Sequence, residues 1–349
     1  FSAPLKEPFR VAFGVIEDAD SWTVKIETDE GIYGLGSAAP LAFVTGETMD
    51  TCYIVMKMFA DAFIGFDPMD IAGAHKLMDS IIYSNGAAKC AFDLALYDII
   101  GKKKGLPVYK VLGGTNPVVH NDITIGINAP EKMEADAKEY VFEKGFRILK
   151  VKTGLDLATD IRALTLIRNA VGPDVRIRID ANQGYSVETA LKALPEFEKL
   201  GIDAAEQFLP WWDFEGAAEL KRKNTTSVKL MLDESIHNIH DAHRAAKLDC
   251  ADFYNIKLMK CGGLYYGAQI ADIAEEAGVG CMVGCMQENK ISIAAGVSLV
   301  AAKKAIVEAD CDSFMFYKGD DDGIAGGFTR EGGVFTLLDK PGLGLDYDI

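Results

Sequence analysis

From residue 10 to residue 38 apolar and polar side chains alternate: Arg10-Val11-Ala12-Phe13, then Trp22-Thr23-Val24-Lys25-Ile26-Glu27, a turn at Asp29-Glu30-Gly31, and Ile32-Tyr33-Gly34-Leu35-Gly36. A period of two marks strands, and the segment predicts a small β-meander. The period lengthens to three and four over Met49–Ile64, Met69–Ile82 and Ala87–Lys104, which predicts three helices, the last stopped by Gly105-Leu106-Pro107. From about residue 120 the rhythm changes again. Short β-branched runs lie at Asn121–Ile127, Arg147–Lys152, Val175–Asp180, Asp203–Glu206, Val228–Asp233, Phe253–Lys257, Gly280–Cys285 and Val307–Cys311. They alternate with helical stretches at Glu131–Lys144, Leu157–Val171, Val187–Leu200, Ala242–Lys247, Gly263–Ala277 and Ile291–Lys304. Eight strands with helical returns predict a parallel barrel of the α/β class. The Gly- and Asp-rich segment from Phe314 onward predicts an extended return to the first domain in place of an eighth barrel helix. Residues 1–115, completed by about 315–349, form one predicted unit, and 116–314 the barrel.

Composition removes several classes of function. Of 349 residues, 49% are hydrophobic and 25% charged, which excludes a disordered chain. No uncharged apolar run reaches the roughly 18 residues a membrane helix needs, so no membrane partner is expected. The 52 acidic against 36 basic residues give a net charge of −16. That charge repels phosphate backbones, argues against a nucleic-acid partner and favours cationic small molecules. The dense basic clusters, Lys102-Lys103-Lys104 and Lys221-Arg222-Lys223, read as solvated helix ends. Seven cysteines without a paired framework, and no secretory signal pattern, predict a reduced, cytoplasmic protein. The chain opens on Phe1 rather than Met, so a few native residues are expected before it.

The candidate chemistry sits at the strand ends. Lys152, Asp180, Glu206, Asp233 and Lys257 each close a predicted strand at intervals of 24 to 28 residues, one strand–helix unit apart, and Asp310 follows two units later. In a barrel these ends open into one bowl, where active sites lie. Asp180, Glu206 and Asp233 thus converge, and three hard oxygen donors without Cys or His suit Mg²⁺, with Mn²⁺ as a substitute. Lys152 and Lys257 flank this arc from opposite walls. One strand-end acid alone is more often a helix cap or a surface charge. Five charged residues at equivalent positions are a constellation, and packed carboxylates repel unless a cation neutralises them. His240 and His243 have helical metal-ligand spacing, but with His237 they follow strand five on an outward-facing helix and read as structural or solvated. Cys281 and Cys285 read as small core residues on one strand face.

Taken together, Lys150-Val151-Lys152, Asp180-Ala181-Asn182-Gln183, Glu206-Gln207, Asp233-Glu234-Ser235 and Lys257 with Met259-Lys260-Cys261-Gly262-Gly263 resemble the motifs of the enolase superfamily, in its muconate-lactonizing branch. The similarity runs from Pro8-Phe9 to Pro341-Gly342-Leu343-Gly344. It implies a (β/α)7β modified TIM barrel with an α+β N-terminal capping domain. It also implies Mg²⁺ on Asp180, Glu206 and Asp233, Lys152 and Lys257 as catalytic bases, and Lys150, Thr124, Cys285 and Gln287 at the substrate. A narrower resemblance is to dipeptide epimerases, in which an Asp-x-Asp after strand eight binds the substrate's α-ammonium. Asp310-Cys311-Asp312 stands at that position, while Asp320 and Asp322 form a rival pair in the Gly-rich return. A small-molecule dipeptide as partner and a homo-oligomeric assembly follow from the same resemblance.

The reaction so implied is a 1,1-proton transfer at the carbon α to a dipeptide's C-terminal carboxylate, through an ene-diolate. One lysine removes the proton and the other returns one on the opposite face. Alternatives on this scaffold are a cycloisomerase, an o-succinylbenzoate synthase or an N-acylamino acid racemase. The Asp310/Asp312 pair argues against them. In a non-catalytic metal-binding barrel the two opposed bases have no task. Gly14 stands where members specific for Ala-Glu carry Arg in the loop over the pocket, and Gly14–Asp20 contributes Glu17, Asp18 and Asp20 instead. With Glu288 beside Gln287, these acids predict cationic or hydrophobic dipeptides rather than Ala-Glu. Trp211 and Trp212 are candidates for an apolar wall.

Overall fold

The alternation before residue 40 folds into two separate hairpins rather than one meander. Strand β1 (Ser2–Val11) pairs antiparallel with β2 (Gly14–Asp20), and β3 (Trp22–Glu27) with β4 (Tyr33–Ala38). Pro4 and Pro8 conceal β1 in the sequence, because proline reads as a strand breaker yet is tolerated on a two-stranded edge. The computed structural model describes residues 1–318 and 323–347, so the rival pair Asp320/Asp322 lies outside the described residues.

Three helices follow: α1 (Met49–Ala62), α2 (Ile71–Ile81) and α3 (Gly86–Lys104). Helix α3 is buried from Ala87 to Gly101 and holds this region together. Strand β4 crosses it so closely that a Cβ on Gly34 would stand 1.9 Å from the Ala95 carbonyl oxygen, and one on Gly36 1.8 Å from that of Ala91. Only glycine fits either crossing. The Glu47 carboxylate accepts the amides of Ala87 and Ala88 at the start of α3, where the helix dipole favours negative charge.

After the short α4 (Val108–Val111) and β5 (Val118–His120), the strand–helix alternation begins. The strands are β6 (Ile123–Ile125), β7 (Ile148–Lys152), β8 (Arg176–Asp180), β9 (Ile202–Glu206), β10 (Lys229–Leu232), β11 (Phe253–Lys257), β12 (Gly280–Gly284) and β13 (Ile306–Asp310). Between them run α5 (Pro130–Lys138), α6 (Leu157–Val171), α7 (Val187–Lys199), α8 (Phe214–Lys223), α9 (Ile239–Leu248), α10 (Leu258–Cys261), α11 (Leu264–Glu276) and α12 (Lys290–Ala302). All eight strands are parallel and paired in chain order, and the Asp122 amide donates to the Ala309 carbonyl across the seam between first and last. The helix predicted at 131–144 is α5 running into one π turn, Glu139–Glu143.

Among the described residues no eighth barrel helix follows β13. A 3₁₀ turn (Ser313–Phe316) leads into the return, where β14 (Ala325–Gly326) pairs with β17 (Leu345–Asp346), and β15 (Phe328–Glu331) with β16 (Val334–Leu337), which in turn pairs with β5. The Leu343 amide donates to Asp98 of α3, and the amides of Leu264 and Tyr265, opening α11, donate to Asp93 of α3. These bonds bind α3 to both the return and the barrel. Among the described residues no helix is long and apolar enough to cross a membrane.

Candidate active site

Register determines which side chains meet. Lys152 pairs with Asp180 and Asp180 with Glu206 in the parallel ladder, so their side chains leave the sheet on the same face, into the barrel mouth. Asp233 follows β10 directly, and Asp180, Glu206 and Asp233 present carboxylate oxygens within 4.8 Å of one another. Lys152 Nζ is 2.6 Å from Asp180, and Lys257 Nζ is 2.8 Å from Asp233. These strands are four apart in an eight-stranded barrel, so the two ammoniums approach the triad across the bore. Lys150 is fully buried behind it, 2.8 Å from Glu206, 2.8 Å from Asp310 and 3.3 Å from Asp180. It does not line the cavity; it ties the triad to the strand-eight acids.

The triad suits a divalent cation. Burial and then Asp180 push the Glu206 carboxyl up to about 7, because three carboxylates share one dry site. Burial also opposes charge on Asp233, but Lys257 and Lys260 outweigh it and hold that carboxyl well below its usual range. Burial lowers Lys257 and Asp233 more than restores it, so its ammonium is held above the ordinary lysine range. Glu206 Oε2 and Asp233 Oδ2 are buried without a well-directed hydrogen bond, facing the ammoniums of Lys150 and Lys257. Buried, all-oxygen and poorly satisfied, the donor set fits Mg²⁺ or Mn²⁺.

Four further side chains complete the site, of which Lys260, Asn182 and Glu234 fall within the motifs quoted above without a role of their own there. Lys260 clamps Asp233 through its Oδ1 at 2.5 Å and through its backbone carbonyl. Asn255 donates to Glu206 at 2.7 Å, and Asn182 to both Asp180 and Glu234. Glu234 is buried, and its carboxyl is pushed up to about 8 by burial and by Asp233. The signal for Asn255 was parity: it lies two residues before Lys257 on the same strand face, whereas Lys260 lies beyond the strand, on α10.

Beside the triad, Asp310 and Asp312 converge with Asp122, their oxygens also within 4.8 Å. The Thr124 amide donates to Asp312 at 2.7 Å, and its hydroxyl to Asp310 at 3.2 Å. Burial and then Asp310 push the Asp312 carboxyl up to about 7, because close buried acids disfavour each other's charge. The sequence signal for Asp122 is its place two residues before the inward Thr124, on the same strand face.

A cavity of about 70 Å³ joins these groups. From the barrel it is lined by Thr124, Lys152, Lys257, Cys285, Gln287, Asp310 and Asp312, with the Gln287 side-chain oxygen buried and unpartnered. From the cap come Phe9, Val11, Phe13, Ile16, Leu41 and Val44. The hairpin acids do not reach it, which corrects the expectation for Glu17, Asp18 and Asp20. Phe9 pairs with Ile16 on the cavity face, leaving Glu17 on the other face, while Asp18 and Asp20 pair with Pro4 and Ser2 at the end away from the turn. All three acids are exposed. Glu288 is buried behind the rim, accepting the Met286 amide. Trp211 and Trp212 are 55% and 59% exposed and form no wall of the cavity. His240 and His243 are exposed on α9, and no described histidine joins an acidic metal cluster.

An eight-stranded barrel with a carboxylate triad between two opposed lysines, under a helical cap, is the architecture of the enolase superfamily. The chain belongs to its mandelate racemase/muconate lactonizing enzyme family: residues 2–113 match the model of the mandelate racemase / muconate lactonizing enzyme N-terminal domain, and residues 132–348 that of the enolase C-terminal domain-like family. It is 40% identical over 345 residues to the hydrophobic dipeptide epimerase of Enterococcus faecalis, covering 98% of this chain and 96% of the relative. It is 38% identical to the L-Ala-D/L-Glu epimerase of Clostridium acetobutylicum, covering 99% and 96%. A crystal structure of the E. faecalis dipeptide epimerase, complexed with Mg and the dipeptide L-Leu-L-Tyr, superposes with a TM-score of 0.96 at 39% identity, covering 99% of this chain and 97% of that one.

Proposed function

We propose that the protein is a Mg²⁺-dependent dipeptide epimerase that inverts the carbon α to the C-terminal carboxylate, on substrates whose C-terminal side chain is hydrophobic. One observation carries this reading: Lys152 and Lys257 face a single cavity from opposite sides of a carboxylate triad, with a second acidic pair beside them. Asp180, Glu206 and Asp233 hold the metal. Bound there, Mg²⁺ supplies positive charge that offsets the negative charge building on the substrate's terminal carboxylate as the α-proton leaves. Lys152 or Lys257 takes that proton, and the lysine opposite delivers one to the other face. Asp310 and Asp312 hold the α-ammonium, which disfavours N-succinylated substrates, whose added carboxylate would meet two acids. The cap residues Val11, Phe13, Ile16 and Leu41 exclude water and receive the C-terminal side chain.

The preference is measured as kcat/KM for Ala-Phe, Ala-Glu and Ala-Lys. Ala-Phe is expected to exceed each charged substrate by at least about 10-fold, since Val11, Phe13, Ile16 and Leu41 offer no partner to a buried charge. A preference for Ala-Glu or Ala-Lys would refute the assignment of the C-terminal side chain to the cap.

The ammonium site has its own test. Asp312→Asn is expected to lower kcat/KM for Ala-Phe by about 10–150-fold, the worth of a charge-assisted hydrogen bond, and to spare N-acetyl-Ala-Phe comparatively. Asp310→Asn costs more on both substrates, because Asp310 also anchors Lys150 at 2.8 Å. Equal losses on both substrates with Asp312→Asn would make that residue structural.

A further inference from the structure

A second cavity, of about 570 Å³, lies against the active-site cavity of about 70 Å³. It fills the flank of the barrel left open by the missing eighth helix, between β6, the π turn that ends α5, and the return after β13. Its lining mixes Ile125, Phe146 and Met315 with charged side chains such as Lys132, Asp136 and Arg330. The chemistry assigned to the active site makes no use of it.

Three residues line both spaces: Phe9, Thr124 and Phe316. The rings of Phe9 and Phe316 are in contact, their centroids 5.4 Å apart, and form the partition. Thr124 stands at its barrel end, bonded through its amide to Asp312 at 2.7 Å and through its hydroxyl to Asp310 at 3.2 Å. In a dipeptide, the carbon that bears the N-terminal side chain is bonded directly to the ammonium nitrogen. An ammonium held by Asp310 and Asp312 therefore starts that side chain beside Thr124, against the partition. Sites for ligands of drug-like size run to roughly 300–1,000 Å³, so the smaller space by itself does not hold two bulky side chains, whereas the joined spaces do.

We propose that the Phe9–Phe316 pair determines which N-terminal residue the enzyme accepts: it confines that side chain to small residues such as alanine, and the cavity behind it is the volume a bulky side chain takes once the partition is cut back. This rests on the dipeptide epimerase reading above.

The experiment compares kcat/KM for Leu-Phe and Ala-Phe in the wild type, Phe9→Ala and Phe316→Ala. The Leu-Phe to Ala-Phe ratio is expected to be below one in the wild type and to rise at least 10-fold in each variant. Phe9→Leu and Phe316→Leu, which keep more of the packing, shift the ratio the same way by less and stand in if an alanine variant does not fold. A ratio within twofold of wild type in every folded variant overturns the proposal, as does a wild type that uses Leu-Phe as well as Ala-Phe. A wild type that epimerises no dipeptide at all refutes the proposed function instead, and the partition's role with it.

Discussion

Lys152→Ala and Lys257→Ala are each expected to lower epimerisation by at least about 10²–10⁴-fold, the range that one positioned acid–base group contributes. Neither lysine can replace the other, because they reach the cavity from β7 and β11 on opposite sides of the bore. Inversion needs a proton taken from one face and one delivered to the other, so losing either base stops net turnover in both directions. A one-sided activity survives. Each variant keeps the base for one epimer and exchanges that epimer's α-proton with D₂O, the two variants choosing opposite epimers; proton NMR of both epimers in D₂O reads this directly. Folding is retained, since Asp180 keeps Lys150 at 3.3 Å when Lys152 is lost, and Asp233 keeps Lys260 at 2.5 Å when Lys257 is lost. Near-wild-type epimerisation by either variant would sink the two-base mechanism.

The site was legible at the strand ends because two independent constraints coincide there. A strand–helix unit has a nearly fixed length, and the inward position at its end carries a residue type dictated by chemistry. Lys152, Asp180, Glu206 and Lys257 accordingly each close a strand, and Asp233 directly follows β10. The return in place of an eighth helix was equally readable, since Gly- and Asp-rich sequence cannot sustain a helical period.

The specificity surface was not legible, because it depends on strand parity in a hairpin whose first strand is hidden by Pro4 and Pro8. Without the Phe9–Ile16 register, Glu17 and Ile16 are equally good candidates for the face toward the substrate, and the acids suggested a cationic side chain. A one-residue change in parity reverses that conclusion. Trp211 and Trp212 failed for a related reason: following a barrel strand places a residue near the rim without saying whether it turns inward. The contacts of Lys260 and Asn255 were not legible because their partners, Asp233 and Glu206, come from other strands.

Exhaustive chelation is expected to abolish epimerisation, and Mg²⁺ to restore it. Asp180→Asn, Glu206→Gln and Asp233→Asn should each weaken Mg²⁺ binding by more than the roughly 10–100-fold that a change just outside a metal's ligands costs, as read by titration calorimetry. The three variants separate in stability, which distinguishes a metal role from a merely structural one. Asp233 is the near counterion of both buried lysines, Lys257 at 2.8 Å and Lys260 at 2.5 Å, so Asp233→Asn strands two ammoniums and is expected to cost about 3–5 kcal/mol in metal-free protein. Glu206→Gln leaves Lys150 with Asp310 at 2.8 Å and Asp180 at 3.3 Å, and is expected to cost distinctly less. If the triad were only a set of counterions, losses in activity would follow that order of stability. If it is a metal site, Glu206→Gln loses Mg²⁺ binding and activity as fully as Asp233→Asn while remaining the more stable protein. Full activity after chelation, or a Glu206→Gln variant with undiminished Mg²⁺ affinity, would remove the metal from the mechanism.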